Sequence, residues 1–185
     1  MKIFTLLLTL YTICFASLHN LTSFEADFVQ SIKDDKNKTL VYKGHIIASK
    51  PQFAIWSYKE PIEKDVYINN WSVTIIEPEI EQVIIKKIES NFDFFKLIEN
   101  AKEIEKNIYI AQYKGSIFKI KLVNNLIDSI QYLDEFENNV KILFTKQVEN
   151  QIIDNNIFQA KYPLDYDVIM DWYSKSNIIK SIFKL

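Results

Sequence analysis

Residues 49–58 read Ser-Lys-Pro-Gln-Phe-Ala-Ile-Trp-Ser-Tyr, and this stretch decides how the rest of the sequence is interpreted. Lys50-Pro51 cannot continue a helix, because a proline disfavours the helical conformation of the residue before it, so the segment begins extended. Side chains then alternate between the two faces of a strand. One face carries Ala54, Trp56 and Tyr58. A dry Trp56 is compatible with an ordinary core and with the wall of an apolar cavity.

The same alternation recurs along most of the chain. In residues 22–32 the apolar side chains share one parity and the acidic side chains the other, as in a half-buried strand. The apolar set is Phe24, Ala26, Phe28 and Ile32. Further strands are predicted at residues 40–49, 53–58, 66–68, 73–76, 117–122, 126–133, 140–148 and 157–162. The pattern therefore predicts a mainly β fold with a few helices, built on one antiparallel sheet of about 11 strands.

One segment in the middle of the chain changes period. Phe94, Leu97 and Ile98 repeat at helical spacing, and Phe95 flanks them, so a short helix is predicted here. A sheet that alternates this regularly has one dry face, which must be covered. Because few helical segments are available, we predict a curled sheet under a small helical lid rather than a sandwich.

The N-terminus has the features of a secretory signal peptide. A basic Lys2 precedes an apolar run, and small residues stand at the −3 and −1 positions before Ser17. An uncleaved anchor is the alternative, although the run is shorter than the ~20 residues of a membrane span. We therefore assign residues 1–16 to the signal peptide, residues 17–173 to one domain and residues 174–185 to an amphipathic C-terminal tail. Lipidation of Cys14 is not expected, because Ile13 precedes it.

Composition excludes several classes of function. The formal net charge of −2 contains no Arg, and this near balance gives no reason to expect a nucleic-acid partner. Cleavage of the signal peptide removes the only cysteine, so disulfides are not expected. Two glycines are too few for phosphate-binding loops. His19 and His45 have no ligand-spaced partners, so we expect no metal site and no cofactor, and His45 is predicted to lie on the surface.

Carboxylates are the remaining candidates for chemistry. Glu77, Glu79 and Glu81 share a parity and could project together beyond a hairpin. Paired acids can transfer protons, but a solvated row of charges is far commoner, and such a row can also meet a basic partner. What remains is an exported, aromatic-rich sheet domain, for which the binding of an apolar ligand is the natural class of function.

Several motifs in order resemble those of the LolA family, the periplasmic carriers of outer-membrane lipoproteins. They are S-F-x-A-x-F-x-Q at residues 23–30, G-x-I at 44–46, K-P-x-x-x-x-W at 50–56, Pro61, E-P-x-x-E-Q at 77–82, and F-x-x-x-Y-P followed by V-I-M-D at 158–171. Each motif is loose alone, but their order and spacing are fairly specific. The resemblance covers about residues 21–172.

The resemblance implies an unclosed antiparallel β-barrel with a helical lid over a hydrophobic cavity. Such carriers are monomers that accept the acyl chains of lipoproteins released from an inner-membrane ABC transporter. They cross the periplasm towards the outer membrane, where an acceptor protein can receive the cargo. No bond is made or broken, so the resemblance implies a protein that is not an enzyme.

Site residues follow from the same resemblance. Lys50 occupies the position of the family's lid latch, a basic residue that hydrogen-bonds the lid backbone. The wall of the lipid-binding cavity is assigned to Phe24, Phe28, Trp56 and Tyr58, and the lid to Phe94, Phe95, Leu97 and Ile98. The chain departs from the family in two respects. The segment before the first strand is short, and Lys50 replaces an Arg, so its grip on carbonyl groups is less directional.

Two other functions stay open. The first is a periplasmic interaction or signalling module that uses the same half-barrel as a docking surface. The second is a lipid hydrolase, for which His45 and Glu77 would be the candidate residues. The side of the sheet on which Trp56 lies distinguishes a cavity wall from a surface position.

Overall fold

The computed structural model describes residues 18–69, 72–87, 94–113, 115–134 and 136–171. The assigned signal peptide and C-terminal tail lie outside these residues. Twelve strands and one α-helix follow each other in the described chain. They are β1 (Ser23–Lys33), β2 (Thr39–Ser49), β3 (Phe53–Glu60), β4 (Lys64–Ile68), β5 (Ser72–Glu77), β6 (Gln82–Lys87), α1 (Phe94–Glu99), β7 (Lys102–Glu105), β8 (Ile108–Tyr113), β9 (Ser116–Val123), β10 (Leu126–Leu133), β11 (Asn139–Glu149) and β12 (Asp167–Asp171).

All twelve strands belong to one sheet, in the order β12-β6-β5-β4-β3-β2-β1-β11-β10-β9-β8-β7. Two antiparallel meanders meet where β1 pairs with β11, which joins the two halves of the chain. β12 and β7 lie at the two ends of this order, so the sheet is not closed into a barrel. The predicted open sheet under a helix is confirmed. The prediction of a wholly antiparallel sheet is wrong at one place, because β12 runs parallel to β6.

Side-chain hydrogen bonds fix the turns of two hairpins. Between β1 and β2, Asp34 Oδ1 accepts the backbone N–H groups of Lys36 and Lys38 at 3.0 and 2.8 Å. Between β10 and β11, Asp134 Oδ1 accepts from the backbone of Phe136 and Asn138, both at 2.9 Å. Aspartate favours turns because its carboxylate can replace a backbone acceptor in this way.

One face of the sheet is apolar along nearly its whole width. On β1 the buried residues are Phe24, Ala26 and Phe28, whereas Glu25 and Asp27 between them point to the other face. The helix α1 lies on the apolar face and packs against residues Leu18–Asn20 and against β8. Together these elements form the inner core. No helix of the described residues is long and apolar enough to cross a membrane.

A long connection, residues 150–166, leads from β11 to β12 across the outer face, and we call it the strap. The strand predicted at residues 157–162 is wrong, because the strap instead contains a short 3-10 helix, Asn155–Phe158. Asp154 caps this helix by accepting the N–H of Asn156 at 3.0 Å. Phe158 stacks on Phe53 with ring centroids 5.3 Å apart. Capping and one buried ring therefore decide the local structure instead of alternation.

Four strands were missed by sequence reasoning, namely β6, β7, β8 and β12, and the two edge strands among them, β7 and β12, lack a period of two. β7 is exposed at all four positions, and β12 has three consecutive apolar residues. The predicted row of glutamates is also broken. Glu79 lies in the 3-10 turn Pro78–Ile80, and Glu81 has a left-handed backbone with φ of 52°. The three glutamates therefore do not project from one strand.

Candidate functional site

Four aromatic residues of β1 and β3 line the middle of the apolar face. Alternation points Phe24 and Phe28 of β1 and Trp56 and Tyr58 of β3 inwards, where all four are buried. The ring of Phe28 contacts the rings of Trp56 and Tyr58, each with a centroid distance of 5.2 Å. The structure thus brings the predicted wall residues together on the covered side of the sheet, and Trp56 lies on that side.

The helix α1 covers one end of this wall. All four of its predicted lid residues are buried, namely Phe94, Phe95, Leu97 and Ile98. The ring of Phe94 lies 5.4 Å from that of Phe24 and 5.5 Å from that of Phe95. The helix has only six residues, too few to be stable alone. Its position therefore depends on these contacts with the sheet.

Lys50 reaches the C-terminal end of the helix. Its Nζ lies 2.5 Å from Oε1 of Glu99, the last residue of α1. Both side chains are partly exposed, at 35% and 41%. The contact is therefore an ion pair with a side chain, whereas the resemblance implied hydrogen bonds to the lid backbone. A lysine has no planar fork to share between carbonyl groups, and a carboxylate suits its point charge better.

A cleft lies between the helix and the start of β3. The enclosed space that a water-sized sphere can occupy in it is only about 10 Å³. It is lined by Gln52, Phe53, Ala54, Trp56, Ile68, Phe94 and Phe95. Pockets for small ligands usually have volumes of roughly 300–1,000 Å³. Side chains of the wall and lid fill most of the interior in this closed state.

The end of the wall remote from the helix is polar, and sequence reasoning missed it. Tyr58 donates a hydrogen bond to Gln30 Oε1 at 3.0 Å, and the Nζ of Lys64 lies 4.8 Å from the centroid of the Tyr58 ring. Gln30 and Lys64 are 1% and 2% exposed. The signal was present in the strand pattern, since Gln30 shares the parity of Phe28 and Lys64 shares that of Val66 and Ile68.

Burial shifts the proton equilibria of this polar end. It lowers the pKa of Lys64, because the charged ammonium loses water, and Glu77 opposes this shift only in part. It raises the pKa of Tyr58 well above the usual value, with further contributions from Tyr132 and Tyr42. The phenols therefore stay protonated throughout the neutral range.

His45 lies on the outer face, as predicted for a surface histidine. Its Nδ1 is 2.8 Å from Asp27 and its Nε2 is 3.2 Å from Glu25. Lys146 also contacts Asp27 at 2.8 Å, and the hydrogen bonds from Lys146 and then His45 lower the pKa of Asp27. The sheet separates this cluster from the apolar interior, so His45 cannot act on a ligand held there. No group of described residues is arranged to hold a metal ion.

These features define a class of protein: an open half-barrel whose aromatic concave face is covered by a short helix. The model of the family described as outer membrane lipoprotein carrier protein LolA matches residues 19–161. The chain belongs to this family.

Individual relatives agree with the match. The chain is 41% identical over 150 residues to an outer-membrane lipoprotein carrier protein of Campylobacter jejuni. The aligned region covers 81% of this chain and 88% of the relative. It is 27% identical over 159 residues to a protein of the same name from Wolinella succinogenes, covering 85% and 92% of the two chains.

Solved structures show the same fold at low sequence identity. The crystal structure of a LolA superfamily protein from Nitrosomonas europaea matches with a TM-score of 0.50 and 7% identity, covering 76% of this chain and 91% of that one. An uncharacterized conserved protein from Thermus thermophilus also matches with a TM-score of 0.50, at 11% identity, covering 83% and 93%. These likenesses concern the fold alone.

Proposed function

We propose that the protein is a periplasmic carrier that shelters the acyl chains of lipoproteins between the inner and the outer membrane. The observation that carries this proposal is the match to the lipoprotein-carrier family over most of the chain. The buried aromatic wall under a removable helix supports it. The donor in this proposal is an inner-membrane ABC transporter, and a protein in the outer membrane is the possible acceptor.

Sheltering an acyl chain is a matter of apolar surface. Each buried CH₂ group stabilises the complex by ~0.8 kcal/mol, so an acyl chain needs a large apolar surface. The wall from Phe24 to Tyr58 supplies such a surface only when the helix moves away. The same surface must be covered when no cargo is present, because a large exposed apolar patch promotes aggregation.

The helix α1 is suited to act as this movable cover. It is short, it is held by side-chain packing, and one exposed ion pair joins it to Lys50. Contacts worth a few kcal/mol allow a closed and an open state to exchange when cargo binds. In this proposal Lys50 is the latch, and its partner is Glu99. Loading and release are binding steps, so the carrier needs no catalytic group.

Native mass spectrometry of protein exported in a Gram-negative host tests the proposal. We expect wild type to carry triacylated lipoprotein, and Trp56→Glu to carry none, because a carboxylate in a dry pocket is costly. Phe95→Glu places the same charge on the lid instead of the wall. Because Phe95 lies outside the strands of the sheet, this variant distinguishes a loss of binding from a loss of the barrel fold. Trp56→Phe keeps an apolar ring and is the matched control. Repeated absence of lipoprotein from folded wild type would refute the proposal.

An interaction module with the same half-barrel is the second candidate function. The observation that favours it is the filled interior, whose cleft is smaller than a usual ligand pocket. The two candidates differ in the response to acyl ligands. A carrier must expose Trp56 to an added fluorescent acyl probe, whereas a module that never opens leaves the Trp56 emission unchanged.

A further inference from the structure

The outer face of the sheet is divided into a covered and an uncovered half. The strap contacts β3, where Phe158 stacks on Phe53, and outward residues of β3 to β6 such as Ile55, Ile76 and Val83 are buried. Over β9 and the first half of β11 the outward residues are mostly exposed and alternate with the buried core, whereas in β10 the outward Ser129 is buried. The uncovered half is therefore the part of the outer face that is available to a partner.

Strand register places three lysines side by side on this uncovered half. Lys119 of β9 and Lys141 of β11 both lie opposite Gln131 of β10, one on each side. Two strand spacings separate them, which is about 10 Å. Lys121 is two residues from Lys119 and on the same face, opposite Ser129. The Cα atoms of the three lysines therefore lie within about 12 Å of one another, close to the Debye length of about 10 Å at 0.1 M salt.

Exposed aliphatic side chains flank these lysines. We name the whole surface the basic face. Its members are Ile117, Lys119, Lys121, Leu133, Lys141 and Leu143. Ile117 is 61% exposed, Leu133 55% and Leu143 38%. None of the outward residues in this part of β9, β10 and β11 is acidic. The three ranges are Ile117 to Lys121, Ser129 to Leu133 and Asn139 to Leu143.

This concentration of positive charge is not a consequence of overall composition. The chain as a whole has a net charge of −2, so the basic face has the opposite sign. One acidic neighbour lies at its margin, Asp128, whose carboxylate is 3.7 Å from Lys121 Nζ. Clustered like charges destabilise a sheet slightly. A negatively charged partner would offset that cost.

We propose that the basic face docks on an anionic lipid surface. Lysines are depleted in the centre of protein–protein interfaces. At a membrane surface, by contrast, a lysine keeps its ammonium at the phosphate level while its stem and neighbouring aliphatic groups contact the headgroup region. The mixture of lysine and exposed Ile and Leu therefore fits lipid better than an acidic protein. This proposal concerns a surface outside the cavity and does not depend on the nature of the cargo.

Docking through this face leaves the lid accessible. Phe94 of the lid contacts Phe24 at the start of β1, whereas Lys141 pairs with Ser31, seven residues further along that strand. This separation is about 23 Å along the strand. A carrier held on lipid by its basic face can therefore present its lid to a protein partner.

Sedimentation with lipid vesicles tests the proposal on the full mature chain. We expect wild type to bind vesicles containing phosphatidylglycerol at about 0.1 M salt, and not to bind vesicles of phosphatidylcholine alone. The triple variant Lys119→Gln, Lys121→Gln, Lys141→Gln is expected to bind on the order of a hundredfold more weakly, from about fivefold for each lysine near the surface. The matched control is Lys36→Gln, Lys38→Gln, Lys161→Gln, which removes the same charge from exposed sites elsewhere.

Three outcomes would overturn the proposal. In the first, wild type does not bind anionic vesicles. In the second, the two triple variants lose vesicle binding equally. In the third, wild type binds immobilised polyglutamate, used as a model of an acidic protein, but does not bind the vesicles. The last result would assign the face to an acidic protein. Uptake of a fluorescent acyl probe is measured in parallel and is expected to be unchanged in both triple variants. If wild type does not take up the probe, the carrier function is refuted but the docking surface is not.

Discussion

At the scale of single residues, the apolar wall is closely packed and has a polar end. Tyr58 connects the two parts, since its ring contacts Phe28 and its hydroxyl group donates to Gln30. Lys64 adds a buried cation next to the same ring. A buried ammonium is costly unless its surroundings compensate for the lost water. We therefore expect this end of the wall to restrict how deeply an apolar chain can be inserted.

Gly44 shows how little space the wall leaves. A Cβ at this position would lie 2.2 Å from the backbone oxygen of Ser57 and 2.7 Å from the ring of Phe28. Gly44→Ala is therefore expected to lower the free energy of unfolding by about 3 kcal/mol, measured by urea denaturation. Gly115→Ala is the control, because nothing lies within 4 Å of its Cβ position and only the backbone φ of +84° is unfavourable. Equal stability of the two variants would contradict the predicted clash.

Lys64 predicts a specific dependence of stability on pH. Because burial lowers the pKa of Lys64 below the usual lysine value of 10.5, the unfolded chain binds more protons than the folded chain between the folded pKa and 10.5. The stability of wild type should therefore rise with pH in this window relative to that of Lys64→Met, which has no such group. Urea denaturation from about pH 7 to about pH 9.5 checks this before tyrosines titrate. If the free energy of unfolding changes with pH in the same way in wild type and in Lys64→Met, the pKa of Lys64 is not depressed.

At the scale of elements, the helix α1 and the strap are both held by few contacts. The helix depends on four buried side chains and the ion pair with Lys50. The strap is held at its start by hydrogen bonds of Asn150 and Gln151 to residues 22–25, and beyond them by the contact of Phe158 with Phe53 and the capped 3-10 helix. Elements with few contacts undergo local opening at lower free energy than core strands. In the proposed function, the helix is the element whose opening would uncover the wall.

The ion pair between Lys50 and Glu99 should control the lid more than the fold. Lys50→Gln is expected to change the free energy of unfolding by less than ~1 kcal/mol, because the pair is exposed. If the pair exists only in the closed state, its loss raises the population of the open state by up to about fivefold. Binding of a fluorescent acyl probe measures this change.

Two further variants make this test specific. Lys59→Gln removes the exposed ion pair with Glu63, at 3.3 Å, without contacting the lid, and should leave probe binding as in wild type. Exchanging the charges in Lys50→Glu, Glu99→Lys should restore the closed state. The latch assignment fails if Lys59→Gln and Lys50→Gln change probe binding to the same extent.

At the scale of the whole molecule, two long-range pairings determine the shape. The β1–β11 ladder joins the two meanders, and the strap returns the chain to the far end of the sheet, where β12 pairs with β6. The sheet stays open because its end strands do not pair with each other. An open sheet leaves one concave face for cargo and divides the outer face into a covered and a basic half.

The strap is expected to contribute to global stability through one ring. Phe158 is 2% exposed, so Phe158→Ala should lower the free energy of unfolding by about 3 kcal/mol or more. Leu164 of the same strap is 101% exposed, and Leu164→Ala should be within about 0.5 kcal/mol of wild type. Thermal denaturation measures both, and hydrogen exchange of β12 should be faster in Phe158→Ala alone. A stable Phe158→Ala would show that the strap does not need this contact.

Local physics in the sequence was sufficient for most of the fold. Alternation placed Phe24, Phe28, Trp56 and Tyr58 on one face, and helical spacing placed Phe94 and Leu97 on another element, because these periods follow directly from strand and helix geometry. Motif order indicated the family. Alternation failed at residues 157–162, where a single buried ring and a cap outweighed it, and it contained no signal for the exposed β7.

The sequence by itself therefore determined the apolar face, its covering helix and the class of protein. Only the tertiary structure decided that Lys50 meets Glu99, that Gln30 and Lys64 form a polar end, and that three lysines of β9 and β11 lie on one uncovered face. Each of these pairs is far apart in the chain or depends on register. The alternation of side chains along a strand indicates which face each residue occupies, but it does not indicate which residue lies opposite on the neighbouring strand.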